Sequence, residues 1–508
     1  MESPQKLLRK LLDKIVGINE LASLAETLRV EGKRVVQCHG VFDLLHPGHF
    51  KHLEEAKKQG DVLVVTITSD RYVDKRTGKP AFNQNLRADS LASLECVDYV
   101  AINDSPLAVE AIKKLKPDIY CKGKDYATLV GVGIRAEEEA VKSVGGTLHF
   151  TDTLLSSSTA LINRYFDVLP DDAKAFLRGF KEKYSANEII ESLNLLKRLK
   201  VMVIGDTIID QYIYCNSIGK SPKDNIMVVK KLAQEKFAGG VLASANHIAG
   251  FCGQVDLVTC LGRIKSYERF IRSHLKKNIN PRFYYRDDTS TIVKQRYVDS
   301  GKLSKIFGVS VLDDFPLSED VTDKICSEIT NGYDMILVTD FGHGFLNKKI
   351  ADTLYKNSKF IAVNTQTNTD NAGFNLIGKY NGANYICLDE PETRLACHDK
   401  YGDLKTLIKQ IASEHKCDKI AITHGQYPTL IYDGDIHTIP VFSKEAKDTT
   451  GAGDAFLSIT APCVASGMHM DMVGFIGNAV GALKVNIVCN RSSVEPEALF
   501  KFIKELLK

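Results

Sequence analysis

The sequence predicts an α/β protein of two domains, each built on a largely parallel sheet. At 508 residues, the chain exceeds the size at which one hydrophobic core keeps growing, so two or three domains are expected. From Lys33 to about Arg164, short β-branched runs (RVVQCHG, DVLVVTITSD, VDYVAI, PDIYCKG) alternate with helical stretches such as HFKHLEEAKKQG. Alternation of that kind belongs to strands joined by crossover helices. A second α/β series opens at VMVIGD (Val201 to Asp206) and runs through DMILVTD, FIAVNT, YICLDE and KIAITHG to the terminal helices.

Between the two series lies DVLPDDAKAFLRGFKEKYSANEIIESLNLLKRLK, polar and charge-rich, with Pro170 at its start. It reads as a helical connector, which divides the chain into 1–166, a linker 167–198, and 199–508. The leading segment up to Lys33 reads as amphipathic helix carrying both charge signs, without the apolar stretch or cleavage site of a signal peptide.

Composition narrows the function classes. The apolar share of 44% and charged share of 25% are ordinary for soluble globular protein, and no apolar run is long enough to span a bilayer. Twelve cysteines without a C-x-x-C pair argue for a reducing compartment, and a cytoplasmic location is expected. A net charge of +3 gives no reason to expect a nucleic-acid partner.

Two strings carry chemistry. The first, GVFDLLHPGH (Gly40 to His49), follows an apolar strand and precedes a helix. It therefore falls at the carboxyl end of a strand, where open α/β sheets bind ligands. His46 and His49 flank a Pro-Gly turn, so both imidazoles can face one anion at a helix N-terminus. Gly48 permits close backbone approach and Gly40 a tight turn. By themselves, two such histidines are equally readable as capping residues or metal ligands.

The second string is DTTGAGDAF, Asp448 to Phe456. Gly451, Ala452 and Gly453 just before a helix form a concavity of N–H donors suited to a γ-phosphate. Asp454, at the helix start, can accept a proton from an attacking sugar hydroxyl.

Both strings resemble known families. GVFDLLHPGH resembles the H-x-G-H signature of cytidylyltransferase-like nucleotidyltransferases, which have a Rossmann-like fold. The segments SDRYVDKRTGKPAFNQNLRADSLASLECVDYV, LKPDIYCKGKDY and SSSTALINRY resemble the adenylyltransferase domain of bifunctional ADP-heptose synthases. That resemblance implies that His46, His49 and Lys122 stabilise charge on the transferring phosphoryl group. It also implies that Gly40, Phe42, Gly48, Ser157, Ser158 and Thr159 hold phosphates or nucleotide. Asp43 and Arg87 match motif positions and are read as holding loops.

DTTGAGDAF resembles the signature of PfkB, or ribokinase-like, carbohydrate kinases. The strings VIGDTIIDQY, FAGG, TIVKQR and TDFGHGFL resemble the kinase domain of the same synthases. The resemblance implies Asp454 as catalytic base, with Gly451 to Gly453 at the phosphate. Asp206, Asp210, Gly239 and Gly240 are implied at the sugar, and Glu392, Thr423 and Gly425 at the metal and nucleotide.

Several positions depart from that family's pattern. Ala243 stands where a sugar-contacting asparagine is usual, and His343 where a lysine is. Asn364 and Gln366 replace an aspartate and a lysine, and Asp389 replaces the asparagine of N-x-x-E. One buried hydrogen-bond partner is worth ~1 to 3 kcal/mol, enough to change the preferred sugar. The transferase also precedes the kinase, the reverse of the familiar order.

The expectation is a bifunctional enzyme of nucleotide-sugar biosynthesis. Its kinase half phosphorylates a sugar or sugar phosphate with ATP, and its transferase half condenses a sugar phosphate with a nucleoside triphosphate. ADP-heptose-type chemistry with ATP leads. The alternative is CTP with a polyol or sugar phosphate, beside a kinase-like half that is altered or structural. Mg²⁺ is expected through phosphate oxygens rather than a protein metal site, and the resemblance implies a homodimer. No nucleic-acid or membrane partner is expected.

Overall fold

A computed structural model of the chain describes all residues except 1–13, 74–79, 124–131, 152–168, 288, 302, 330–331 and 445. It separates into two compact units, Met1–Val168 and Leu169–Lys508.

In the first unit, five strands form one parallel sheet: β1 (Val35–Gly40), β2 (Val62–Thr68), β3 (Tyr99–Asn103), β4 (Ile119–Gly123) and β5 (Thr147–Thr151). The run VLVVTIT in β2 is buried at every position, as a strand covered on both faces must be. Alternation then splits its side chains. Leu63, Val65 and Ile67 join Val36, Leu53 and Leu91 on one face, while Val62 and Val64 meet Leu21, Ala25 and Leu115 on the other. The described part of the leading helix, Ile18–Val30, supplies Leu21 and Ala25, so its apolar stripe is part of the core. Strand order β3-β2-β1-β4-β5 reverses direction between β1 and β4. Such a reversal opens a crevice beyond the carboxyl ends of those two strands.

The second unit contains β6 (Lys200–Gly205), β7 (Thr207–Lys220), β8 (Met227–Gly240), β9 (Gln254–Gly262), β10 (Ile279–Arg286), β11 (Ile292–Asp299), β12 (Lys305–Val311), β13 (Met335–Asp340), β14 (Ile361–Thr365), β15 (Tyr385–Asp389), β16 (Ile420–His424), β17 (Tyr427–Tyr432) and β18 (Ile436–Ile439). Nine of them form a sheet in the order β10-β9-β6-β13-β14-β15-β16-β17-β18, parallel as far as β16. Val201 and Val203 of β6 face one core, Met202 and Ile204 the other. The remaining strands form a four-stranded sheet, β12-β11-β7-β8. Its β7–β8 hairpin is buried where Thr207 to Asp210 pair with Phe237 to Gly240, and exposed at its far end.

Within the expected connector, helices Asp171–Lys183 and Ala186–Leu195 carry Ala173, Leu177, Phe180, Ile189 and Leu193 into the same core as Val201 and Phe475. Phe180 stacks on Phe475 at 4.4 Å between ring centroids. Burying that stripe binds both helices to the second unit.

Candidate active sites

The first site lies at the crevice between β1 and β4. His46 is the N-cap of helix Pro47–Lys57, and its Nδ1 accepts the Gly48 N–H at 3.1 Å. That bond leaves the proton of the neutral ring on Nε2, which is buried and has no partner. The His49 ring lies 3.9 Å from that of His46, centroid to centroid, so the two histidines do share one side of the turn. Burial, reinforced by the neighbouring His46 and His52, pushes His49 down to about 3 against a bond to the Leu44 backbone. Nδ1 of His49 is buried and without a partner among the described residues. His49 is held neutral, and an arriving phosphate would need it to take up a proton.

Phe42 holds a left-handed backbone (φ 49°) and turns its ring back under Gly40, where an added Cβ would sit 3.0 Å from Phe42 Cε2. Asp43 accepts the Ala81 and Phe82 N–H groups at 2.9 and 3.0 Å. Fully buried Arg87 donates to the carbonyls of Val41, Thr68 and Phe82 and pairs with Asp70 at 2.6 Å. Both side chains fasten loops around the crevice.

Lys122 stands in β4, buried, with its ammonium 3.0 Å from Glu137 and 3.3 Å from the His39 carbonyl. Burial pushes Glu137 up, yet the Lys122 charge and the Ala108 N–H hold it below the usual carboxylate range. Tyr120 also donates to it, at 3.0 Å. The sequence pattern assigns nothing to Glu137, which sits inside an EEE run on a helix, nor to His39 and His52. His39 is held between Thr66 and Thr68, and His52 bonds Thr151 at 2.7 Å. Ser157, Ser158 and Thr159 lie outside the described residues.

The second site is a cavity of about 730 Å³ in the second unit, lined by the loop before helix Ala452–Ala465 and by residues of both sheets. Gly451 adopts φ 76°, and a Cβ there would meet Asn490 Oδ1 at 2.5 Å, so only glycine fits this N-cap. Asp454, in the first turn, is 8% exposed. Burial and the Asp210 charge raise it to about 6, against Lys484 and Lys294. A base poised so close to neutrality suits proton abstraction from a hydroxyl.

Asp448 anchors the loop. It accepts from the Tyr212 hydroxyl (2.7 Å), the Thr450 and Cys489 N–H groups (3.0 and 2.8 Å) and the Lys305 ammonium (3.1 Å). Buried Lys484 donates to the Thr450 carbonyl at 2.7 Å.

Asp210 lines this cavity and is ion-paired with Arg296, whereas Asp206 lines a smaller cavity beside it. Gly239 does not line the large cavity; its role is to admit Asp210, whose Oδ2 would be 2.0 Å from an added Cβ. Gly240 (φ 57°) does line it.

On the opposite wall Glu392 and Asp389 form a capping box, and Asn364 donates to Glu392 at 3.3 Å. Burial and Asp389 push Glu392 up to about 8. Asp389 therefore serves as a helix cap here, and Asn364 as its neighbour's hydrogen-bond donor. Gln366, Thr423 and Gly425 line the cavity too. Ala243 is buried in helix Val241–Ala249, and His343 belongs to the smaller cavity. Lys294, Arg296 and Asp448 lie in strings that carry the resemblance, but the pattern alone gives them no roles.

Comparisons with known proteins follow the two units. A cytidylyltransferase-like family model matches residues 38–164. The bifunctional protein HldE of Geobacter metallireducens is 38% identical over 151 residues, 29% of this chain and 30% of that protein. HldE of Aliarcobacter butzleri is 45% identical over 136 residues, 26% of this chain and 29% of that protein. These matches fall on the N-terminal unit, and the chain spans about a third or less of the relatives' length. A ribokinase from Thermotoga maritima aligns over 60% of this chain and 99% of its own, with 17% identity and a TM-score of 0.49. The model of pfkB family carbohydrate kinases matches residues 198–491, more than half of the chain, and with that match the chain belongs to the pfkB carbohydrate kinase family.

Proposed function

We propose that the chain is a bifunctional enzyme of nucleotide-sugar biosynthesis. The C-terminal unit phosphorylates a sugar or sugar phosphate with ATP, and the N-terminal unit condenses a sugar phosphate with a nucleoside triphosphate, releasing pyrophosphate. The observation that supports this reading is that each unit brings its own signature residues to the carboxyl edge of its own parallel sheet, His46 with His49 in one and Gly451 to Asp454 in the other.

In the kinase, Asp454 takes the proton of the attacking hydroxyl while amides at the start of helix Ala452–Ala465 receive the γ-phosphate charge. In the transferase, His46 Nε2–H, protonated His49 and Lys122 stabilise the α-phosphate as the sugar phosphate attacks it and pyrophosphate leaves. Ser157, Ser158 and Thr159 would hold the outgoing phosphates.

Asp389 and Glu392 are carboxyls of one wall of the kinase cavity, both held above the usual range chiefly by burial. They would hold Mg²⁺ together with phosphate oxygens, and the ion would supply charge neutralisation on the phosphates.

An ADP-heptose-type product made with ATP is favoured by the HldE relatives of the N-terminal unit. Exposed Ile218, Met227, Leu232, Phe307 and Val309 on the four-stranded sheet support a homodimer through that sheet. Twelve free cysteines support a cytoplasmic location, and among the described residues no helix is long and apolar enough to cross a membrane.

The test is to supply the full chain with ATP or CTP and a panel of sugars and sugar 1-phosphates, following ADP and pyrophosphate separately. Both products are expected. Absence of pyrophosphate with every sugar phosphate overturns the transferase reading, and absence of ADP with every sugar overturns the kinase reading.

A further inference from the structure

Beside the large cavity of the second unit lies a smaller one of about 20 Å³, lined among others by Asp206, Arg286, Thr289 and His343. Its walls come from the carboxyl ends of β9 and β10 and from the residues just past β6 and β13, the same sheet edge that carries the kinase site. His343 is 1% exposed, and neither of its ring nitrogens has a hydrogen-bond partner among the described residues. The hydroxyl of Thr289 is also buried and unpartnered among them. Groups of this kind are rarely left unmatched in folded proteins.

Resting on the kinase reading above, we propose that this cavity is the subsite for the unphosphorylated, hydroxyl-bearing end of the sugar, and that His343 determines that specificity. Burial, with Lys294 nearby, holds His343 down to about 4, so at neutral pH it offers one N–H donor and one lone pair. A hydroxyl is likewise both donor and acceptor, so it can meet a cavity-facing nitrogen of that ring in either tautomer. The volume takes one water-sized group; a phosphate, with four oxygens around phosphorus, needs several times that space.

Arg286, the cation of the wall, already donates to the carbonyls of Asp313 (2.8 Å) and His343 (3.2 Å), and burial with Asp340 nearby pushes the Asp206 carboxyl of the same wall up to about 7. The two cavities are close neighbours. Asp206 accepts the N–H of Phe341 through its side chain and that of Val241 through its carbonyl, each at 3.0 Å, and Phe341 lines the large cavity. A sugar with its reacting hydroxyl near Asp454 can thus send its far end past Asp206.

The experiment measures ADP release by the full chain with D-mannose, 6-deoxy-D-mannose and D-mannose 6-phosphate, and with D-ribose, 5-deoxy-D-ribose and D-ribose 5-phosphate. For whichever series turns over, the hydroxyl-bearing sugar is expected to exceed both its deoxy and its phosphorylated analogue at least ten-fold in kcat/KM. His343→Phe is expected to bring the hydroxyl-to-deoxy ratio close to one. A preference for the phosphorylated sugar overturns the proposal, as does equal use of hydroxyl and deoxy sugars, which would mean that the cavity holds only a water. The sugar series are read on the unaltered chain, so they decide the matter even where His343→Phe does not fold. Absence of ADP with all six compounds, and with the wider panel above, overturns instead the kinase reading beneath the proposal.

Discussion

Replacing Asp454 by asparagine should move activity and stability in opposite directions. The carboxyl is raised from 3.8 to about 6, by burial first and by Asp210 second. An acid whose folded pKa lies above its unfolded one adds stability below the unfolded value and loses it as pH rises through the folded value. For Asp454 that window is about pH 4 to 6. Above it, the ionised native carboxylate costs about 3 kcal/mol relative to the unfolded chain. Asp454→Asn removes that charge with little change of shape, so at pH 7.5 the second unit should gain up to about 3 kcal/mol, and at pH 4 the gain should vanish. ATP-dependent phosphorylation should fall by roughly 10²- to 10⁴-fold, the usual worth of a general base. Urea denaturation at the two pH values, followed beside an ADP-release assay, reads both effects. A variant that retains more than a tenth of the activity, or that is less stable at pH 7.5, would refute the assignment of Asp454 as a strained base.

Three further outcomes follow from other contacts. Gly239→Ala drives a Cβ to within 2.0 Å of Asp210 Oδ2, so it should cost ~1 to 3 kcal/mol and depress ADP release while leaving pyrophosphate release unchanged. Glu137→Gln removes the carboxylate 3.0 Å from the buried Lys122 ammonium, and breaking a buried ion pair costs about 3 to 5 kcal/mol; the melting temperature of the first unit and its pyrophosphate release should both fall, with ADP release intact. Calorimetry of ATP or CTP binding in buffers of different ionisation enthalpy should show proton uptake near pH 7, because His49 starts from about 3 and must be protonated to stabilise a phosphate. Buffer-independent heats would contradict that picture of His49.

Much of this architecture was legible because local pattern and tertiary role agree. Apolar runs such as VLVVTIT can only be strands covered on both faces, H-x-G-H sits where a strand gives way to a helix, and DTTGAGDAF leads into one. The segment 167–198 reads as a connector because its charges dominate its composition. Its stripe of Ala173, Leu177, Phe180 and Tyr184, at spacings of three and four, is what the core buries.

Residues that act through a partner were harder to see. Glu137 matters through Lys122, fifteen positions away in the chain, and in an EEE run nothing separates it from solvated neighbours. Asp448 opens a motif whose chemistry points to Asp454, yet the structure gives it four donors and makes it the anchor of the loop. His343 reads only as a departure from a lysine until the structure shows both of its nitrogens buried and unmatched.

The proposed reading puts one active site in each unit, so the two must fail independently. The most direct measurement runs ADP and pyrophosphate release side by side on the unaltered protein, on His46→Ala/His49→Ala, and on Asp454→Asn. The prediction is a clean division: the histidine pair abolishes pyrophosphate release and spares ADP release, and Asp454→Asn does the reverse. Loss of both products in either variant, or retention of pyrophosphate release without the two histidines, would contradict it.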